Sequence, residues 1–276
     1  MNHTVTLVEL RPVRKASFTA FGALILRDLV VLRQSLWAFV IRTVMQPLLF
    51  VFVFTYVFPK IGQGIGGARG AAEFSSLLVP GVVAIACIFQ GIQAVALPLV
   101  QEFSYTREIE DRVMAPLPVW AVASEKIVAG ALQGVVAGLI VFPLAAFIPS
   151  TPVHLNLRWP ELVTFLPLAA IVGAALGLTI GTRVKPQQVS LIFSIIVIPL
   201  TFLGATYYPW ARLTPIPWLK VLVLVNPLVY MSEAFRAALT PQIPHMPVGL
   251  IYLALVSFGA ALSWWGIDGF KRRVLG

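Results

Sequence analysis

The chain has 276 residues, of which 59% are hydrophobic and 11% are charged, with a mean hydropathy of +0.90 and a net charge of +9. Soluble domains are about 45–50% apolar and about 25% charged. The composition therefore excludes a soluble domain and predicts an all-α membrane protein whose long apolar runs are spanning helices. In such a protein a positive net charge reflects basic cytoplasmic loops, so we expect no nucleic-acid partner.

Residues 1–35 are predicted to form a cytoplasmic N-terminus and an amphipathic interfacial helix. Arg27 lies opposite an apolar helical face, and Asp28 lies near the edge of that face. The apolar face consists of Phe18, Phe21, Ile25, Leu29 and Leu32. This pattern is typical of a helix that lies along the inner leaflet in contact with lipid. The alternative is an extension of the first span.

Six apolar runs are long enough, at roughly 20 residues, to cross a bilayer as helices. They are residues 36–58, 75–100, 124–148, 161–182, 188–208 and 248–268. Spans one to five therefore occupy residues 36–208, and the last span and a cytoplasmic tail occupy residues 248–276. We predict that the whole chain, 1–276, forms a single transmembrane domain.

The distribution of Lys and Arg predicts the orientation, because cytoplasmic loops carry the excess of basic residues. With the N-terminus inside, all but six of the 20 Lys and Arg residues lie on the cytoplasmic side. The outer residues are Lys60, Arg69, Arg158, Arg212, Lys220 and Arg236. Both termini are therefore predicted to be cytoplasmic.

Residues 209–247 contain two apolar stretches that are each too short to span a membrane. Read as one broken span, they would place the basic C-terminal sequence KRRVLG outside, against the charge distribution. We predict a re-entrant pair of short helices that enters from outside and returns, with Asn226 as N-cap and Pro227 as the first residue of the second helix. Glu233 and Arg236 can meet on that helix. We expect them to hold the pair together, with contact to substrate head groups as the alternative.

Motifs for nucleotide binding and catalysis are absent from the sequence. There is no G-x-x-x-x-G-K-[ST] phosphate loop, no H-E-x-x-H and no G-x-S-x-G. The three histidines are far apart in predicted loops. We therefore expect this chain to bind no cofactor or metal ion and to carry no catalytic residue.

The predicted spans lack central carboxylates, which proton-driven carriers usually need. They contain glutamines instead, and Gln90 and Gln93 are three residues apart on one helical face. Two interpretations apply to these residues and to Gln133. They form hydrogen bonds between helices, or they line a polar path for an amphiphilic substrate.

Two series of glycines recur at a spacing of four residues and leave stripes without side chains. They are Gly130, Gly134 and Gly138, and then Gly173, Gly177 and Gly181. Because such stripes allow the backbones of two helices to approach closely, we predict that the third and fourth spans pack on each other there.

Charge is concentrated in the loop between the second and third spans, which is cytoplasmic in the predicted orientation. The charged residues are Glu102, Arg107, Glu108, Glu110, Asp111 and Arg112. The residues alone allow a solvated loop whose charges avoid lipid, or a surface that docks on a partner.

The sequence resembles the ABC type-2 transporter permeases in the order of its segments, and it is most similar to their drug-exporter and Nod-factor-exporter branch. The stretches that carry the resemblance are RDLVVLRQSLWAFVIRTVMQPLLFVFVFTYVF (27–58), LLVPGVVAIACIFQG (77–91), REIEDRVMAPLP (107–118), GATYYPW (204–210) and NPLVYMSEAFRAAL (226–239). The resemblance implies a homodimer in the bacterial plasma membrane, the cell or inner membrane. It also implies two copies of a separate ATPase subunit, which bind ATP and Mg²⁺.

The resemblance also implies a role for the charged loop. Residues 102–118 would form a short coupling helix that docks in a cleft of the ATPase subunit and ends at Pro116 and Pro118. The residues expected to make the contact are Tyr105, Arg107, Glu108, Ile109 and Arg112.

The implied function is export of a hydrophobic or amphiphilic compound, such as a drug, a lipid or a lipid-linked glycan, powered by ATP hydrolysis on the partner. A secondary carrier or channel without ATP coupling is the alternative, which the missing carboxylates disfavour. An intramembrane enzyme is disfavoured because the sequence has no paired catalytic residues.

Overall fold

The computed structural model describes residues 13–61, 67–103, 117–150, 153–184 and 188–275. Within these ranges the chain forms helices and no strand, so the predicted all-α class is confirmed. The predicted coupling residues between positions 104 and 116 lie outside the described residues.

The helices of the described ranges are named in chain order. They are α1 Val13–Gln34, α2 Leu36–Lys60, α3 Gly67–Gln101, α4 Val119–Phe147, α5 Trp159–Arg183, α6 Val189–Phe202, α7 Pro217–Leu222, α8 Pro227–Leu239 and α9 Val248–Leu275. A π-helical stretch, Phe52–Val57, lies inside α2. Two 3₁₀ turns, Trp210–Leu213 and Val223–Val225, flank α7.

Five of these helices are long and apolar enough to cross a membrane within the described ranges. They are α2, the Glu73–Gln101 part of α3, α4, α5 and α9. They match the predicted spans one to four and the last span. The predicted ends differ by a few residues, and α9 continues to Leu275, beyond the predicted end at residue 268.

The predicted fifth span, 188–208, is shorter in the structure. Its helix α6 has 14 residues and ends at Phe202, so it is about 21 Å long and shorter than the five spanning helices. The chain then turns, with Ala205 at a φ of 52°. A Cβ on Gly204 would lie 2.5 Å from a methyl group of Leu228. The turn therefore packs onto α8, and the helix does not continue.

Helix α3 lies at the centre of the bundle, packed against α4, α5 and α8. Every residue from 75 to 92 is buried. Because the whole stretch is buried, its side chains contact other helices of the chain on all sides.

The glycine stripes bring α3, α4 and α5 into close contact. A Cβ on Gly134 of α4 would lie 3.1 Å from the Cβ of Ala170 in α5 and 3.2 Å from the Cys87 carbonyl oxygen in α3. A Cβ on Gly177 of α5 would lie 2.9 Å from the Gly91 carbonyl oxygen in α3. The α4 stripe thus meets both neighbours. The prediction that the third and fourth spans pack on each other at these glycines holds for the α4 stripe. It is wrong for the α5 stripe, which packs on α3, because spacing alone does not identify the facing helix.

Contacts between helix termini define two ends of the bundle. At one end, the α1 end, Lys126 of α4 pairs with Asp28 of α1. Phe103, which follows α3, packs against Phe270 of α9 at the same end. Helix α1 and the end of α9 therefore lie together, as the predicted placement of both termini on one side requires. The assignment of this side to the cytoplasm stays a prediction from the basic residues.

The opposite end, the α7 end, contains both ends of the predicted re-entrant pair. Before α7, Arg212 pairs with Glu73 near the beginning of α3. After α8, the Leu239 carbonyl accepts a hydrogen bond from the Asn156 backbone N–H, just before α5. The stretches Pro217–Val225 and Pro227–Leu239 are bent by 98°. Since the chain enters and leaves the pair at the same end of the bundle, the geometry is that of a re-entrant pair and not of a broken span.

Candidate functional site

A chain of hydrogen bonds connects three spans at Gln90. The Thr43 hydroxyl of α2 donates to Gln90 Oε1 over 3.0 Å, and Gln90 Nε2 donates to Gln133 Oε1 of α4 over 3.1 Å. Gln90 is 4% exposed. This arrangement matches the interpretation of Gln90 as a hydrogen-bonding residue between helices. Such bonds in membranes contribute about 0.6–2 kcal/mol each.

Gln93 and Gln133 also line a cleft of about 410 Å³ between α1, α2, α3 and α4. This volume lies within the range of about 300–1,000 Å³ that is common for small-molecule pockets. The polar residues that line the cleft are Arg27, Asp28, Ser35, Arg42, Gln93, Gln101, Glu102, Lys126 and Gln133. Its apolar lining is Val31, Leu32, Ala94, Leu97 and Pro98. The cleft thus presents polar and apolar surfaces side by side, which suits an amphiphilic molecule.

The cleft has its shape because α1 and α2 are separate helices. Helix α1 ends at Gln34, and Ser35 adopts φ and ψ angles of −110° and 22° between it and α2. The Ser35 hydroxyl donates to the carbonyls of Val31 and Leu32. It thereby provides a hydrogen bond to carbonyl groups in the last turn of α1. The prediction of a separate helix before the first span is confirmed, and its contact with lipid stays a prediction.

A buried ion-pair cluster connects α1, α4 and the residue that directly follows α3 at the side of the cleft. Lys126 Nζ lies 2.7 Å from Glu102 Oε1 and 3.4 Å from Asp28 Oδ2. The side chains of Lys126 and Glu102 are only 6% and 9% exposed. Attraction between charges is stronger in such a site than in water, so this cluster holds α1 against the bundle. We refer to Asp28, Glu102 and Lys126 as the lysine cluster.

The three charged residues of the lysine cluster stand out in the sequence because each lies next to apolar residues. Asp28 lies near the edge of an apolar helical face, and Glu125 and Lys126 begin an otherwise apolar run. Charges in such positions are costly unless they are paired. The partners of Lys126 are 98 and 24 residues away in sequence, so spacing could not identify them.

The coupling residues Tyr105, Arg107, Glu108, Ile109, Arg112 and Pro116 lie outside the described ranges. The structure does place the residues on either side of them. Glu102 and Phe103 precede that segment, and Lys126 lies in the first part of α4, so all three are at the α1 end. The cleft and the two flanks of the charged loop therefore share one end of the bundle.

At the α7 end, Glu233 and Arg236 of α8 form an ion pair in which neither side chain is exposed. The Glu233 carboxylate also accepts hydrogen bonds from the backbone N–H groups of Trp210, at 2.9 Å, and Met246, at 2.8 Å. Arg236 donates to the Ala205 carbonyl over 2.8 Å. The pair thus fastens α8 to the turn after α6, to the segment before α7 and to the segment before α9.

Asn226 and Pro227 begin α8 as the sequence indicates. The Asn226 side chain accepts a hydrogen bond from the Leu228 backbone N–H at 2.9 Å, and Pro227 is the first helical residue. Asn226 Nδ2 also donates to the Leu200 carbonyl of α6 over 2.8 Å. The cap therefore also attaches the beginning of α8 to the end of α6.

The described ranges contain no group of three His, Cys, Asp or Glu side chains that could hold a metal ion. The buried polar groups described above are ion pairs and side-chain amides. Such groups can bind a ligand or hold neighbouring helices together.

The family model described as ABC-2 type transporter matches residues 19–240 of the chain. Curated relatives include the inner membrane transport permease YadH of Escherichia coli strain K12, its counterpart in E. coli O157:H7 and its counterpart in Shigella flexneri. Each is 27% identical to the chain over 198 residues, which cover 71% of this chain and 75% of the relative.

Proposed function

Because the chain belongs to the ABC-2 type transporter family and is a membrane permease of an ABC transporter, we propose that it works as an exporter. Its substrate is a hydrophobic or amphiphilic compound, such as a drug, a lipid or a lipid-linked glycan, which it moves out across the plasma membrane. The named location of the relatives, the inner membrane, supports the plasma membrane as the location of this chain.

Family membership implies association with an ABC ATPase. We propose a homodimer of this chain with two ATPase copies, which bind ATP and Mg²⁺ and perform the hydrolysis. The permease itself binds no nucleotide, which agrees with the missing phosphate loop. The charged segment 102–118 is the proposed docking element, and its flanks connect to the lysine cluster.

The observation that carries the proposal is the cleft at the α1 end. It has polar and apolar lining, and it lies beside the flanks of the charged loop. A movement of that loop would shift Glu102 and its partner Lys126, and both line the cleft. ATP-driven movement of the ATPase would thereby change the shape of the cleft.

The test is transport in proteoliposomes that contain the chain and the ABC ATPase that co-purifies with it from its native membrane. A fluorescent lysophospholipid is offered on the face that carries the ATPase. We expect its transfer to the other face to require ATP and both proteins. Transfer by the chain alone, driven by an ion gradient, would favour the secondary carrier instead.

A further inference from the structure

Arg42 is a cation on a spanning helix for which the described residues provide no counter-charge. It lies six residues after the beginning of α2, and its side chain is exposed. None of the ion pairs of the described residues includes it. Arginine in a spanning helix is costly and usually faces a partner or a water-filled cavity. Here it lines the cleft and also a second, small pocket between α2 and α3.

The charges of the cleft favour an anion beside Arg42. The lining contains the three cations Arg27, Arg42 and Lys126 and the two carboxylates Asp28 and Glu102, which leaves one positive charge in excess. Both carboxylates lie within 3.4 Å of Lys126, so they belong to the lysine cluster. Arg27 also has an interaction of its own within the protein. Arg42 is therefore the lining cation that a ligand would neutralise.

The rest of the cleft lining favours an amphiphile over a small free anion. Gln93 and Gln133 offer neutral hydrogen-bonding groups in the same cleft, while Leu97 and Pro98 of α3 and Leu32 of α1 offer apolar surface. A guanidinium binds a phosphate or a carboxylate through two parallel hydrogen bonds. Apolar surface beside such a group would bind a chain attached to the head group.

We propose that the cleft between α1, α2, α3 and α4 binds amphiphiles with an anionic phosphate or carboxylate head group, and that Arg42 is the residue that contacts this group. The inference rests on the proposed function, since it names the substrate class of the same cleft. Arg42 determines specificity, and the glutamines and the apolar lining accept the rest of the molecule.

Binding to the purified permease, without its ATPase, tests this inference separately from transport. The probes are lysophosphatidylglycerol, which is anionic, lysophosphatidylcholine, which is zwitterionic, and inorganic phosphate. Affinities are measured by microscale thermophoresis in a neutral detergent. We expect the wild-type chain to prefer the anionic lysolipid, and a lack of preference would overturn the proposal.

The variant Arg42→Gln should reduce affinity for lysophosphatidylglycerol by about tenfold or more, because a charge-assisted contact is lost. Affinity for lysophosphatidylcholine should fall less, because its choline group already compensates the charge of its phosphate. Arg42→Lys should retain part of the preference. Arg33→Gln is the matched control, since Arg33 is exposed on α1 and does not line the cleft. Equal losses in Arg42→Gln and Arg33→Gln would overturn the assignment of Arg42.

Inorganic phosphate distinguishes an amphiphile site from a site for free anions. We expect millimolar phosphate to compete weakly with the anionic lysolipid. Displacement at equal concentrations would show that the head group alone is the ligand and would overturn the amphiphile assignment. If binding behaves as expected but ATP-driven export fails in proteoliposomes, the proposed function fails and the binding site stands.

Discussion

Glu233 and Arg236 form a fully buried ion pair one helical turn apart on α8, and each also binds a backbone group of another segment. A double variant that exchanges the two residues, Glu233→Arg with Arg236→Glu, would therefore disrupt the site. After the exchange, an arginine at position 233 would face the N–H groups of Trp210 and Met246, which require an acceptor. The structure supports a role in holding the re-entrant pair and provides no exposed surface at either side chain for a substrate.

Removal of Arg236 should destabilise the protein. In Arg236→Leu the Glu233 carboxylate stays buried without its cation, and the cost of breaking such a pair is about 3–5 kcal/mol. We expect a lower apparent melting temperature in detergent and low yield. Arg212→Leu is the matched control, because the Arg212–Glu73 pair is about 60% exposed on both sides and should contribute less than about 1 kcal/mol. Equal effects of the two variants would contradict the structural role.

Close contact between α3 and α5 depends on Gly91. A Cβ there would lie 2.6 Å from the Ala174 backbone nitrogen and from the Gly173 carbonyl carbon, and backbone atoms cannot move aside without shifting a helix. Gly91→Ala should therefore cost about 1–3 kcal/mol through overpacking, seen as a lower melting temperature. Gly249→Ala is the control, since a Cβ at Gly249 meets nothing within 4 Å, and it should be neutral or slightly stabilising. If Gly91→Ala is as stable as the wild-type chain, α3 and α5 do not approach each other as closely as the structure shows.

The lysine cluster should control the attachment of α1. Lys126→Met removes the cation shared by Asp28 and Glu102, at a cost of about 3 kcal/mol. We expect faster hydrogen exchange in α1 between residues 20 and 34, with little change in α5. Lys271→Met makes the same change at an exposed position and should leave exchange in α1 unaltered. If hydrogen exchange in α1 stays equally slow in Lys126→Met, apolar contacts alone hold α1 against the bundle.

Cysteine labelling tests the orientation and the re-entrant pair together. The native Cys87 is buried and should stay unlabelled. Single cysteines at Asn156 and Pro244 should react with an impermeant thiol reagent from outside intact cells, and cysteines at Thr106 and Pro186 should not. Because Asn156 contacts Leu239, positions 156 and 244 must react from the same side. Access to position 244 from the inside alone would exclude the re-entrant pair in the predicted orientation.

The docking role of the charged loop predicts a defect in the variant Ile109→Asp. An apolar anchor replaced by an unpaired charge should weaken association with the ATPase by about tenfold or more. The variant should insert and dimerise normally, because no spanning helix changes. Co-purification of the ATPase and stimulated ATP hydrolysis are the measurements. Full association and normal export in this variant would leave the loop as a solvated segment.

The sequence by itself determined the features that depend on neighbouring residues. Apolar length identified five spanning helices, since each such run satisfies its own backbone hydrogen bonds and needs no partner to do so. Asn226 and Pro227 identified the beginning of α8, because a cap and the first helical residue act within one turn. The spacing of Glu233 and Arg236 indicated their pairing for the same reason.

Only the tertiary structure decided which distant segments meet. Lys126 joins Asp28 and Glu102, the α5 glycines face α3, and α6 ends at Phe202 because the following turn packs onto α8. Helical periodicity shows which residues share a face, but the element that covers this face depends on the packing of the whole bundle. The position of Arg42 in a cleft formed by four helices was decided in the same way, since the relative placement of α1 and α2 follows from their contacts with α3 and α4.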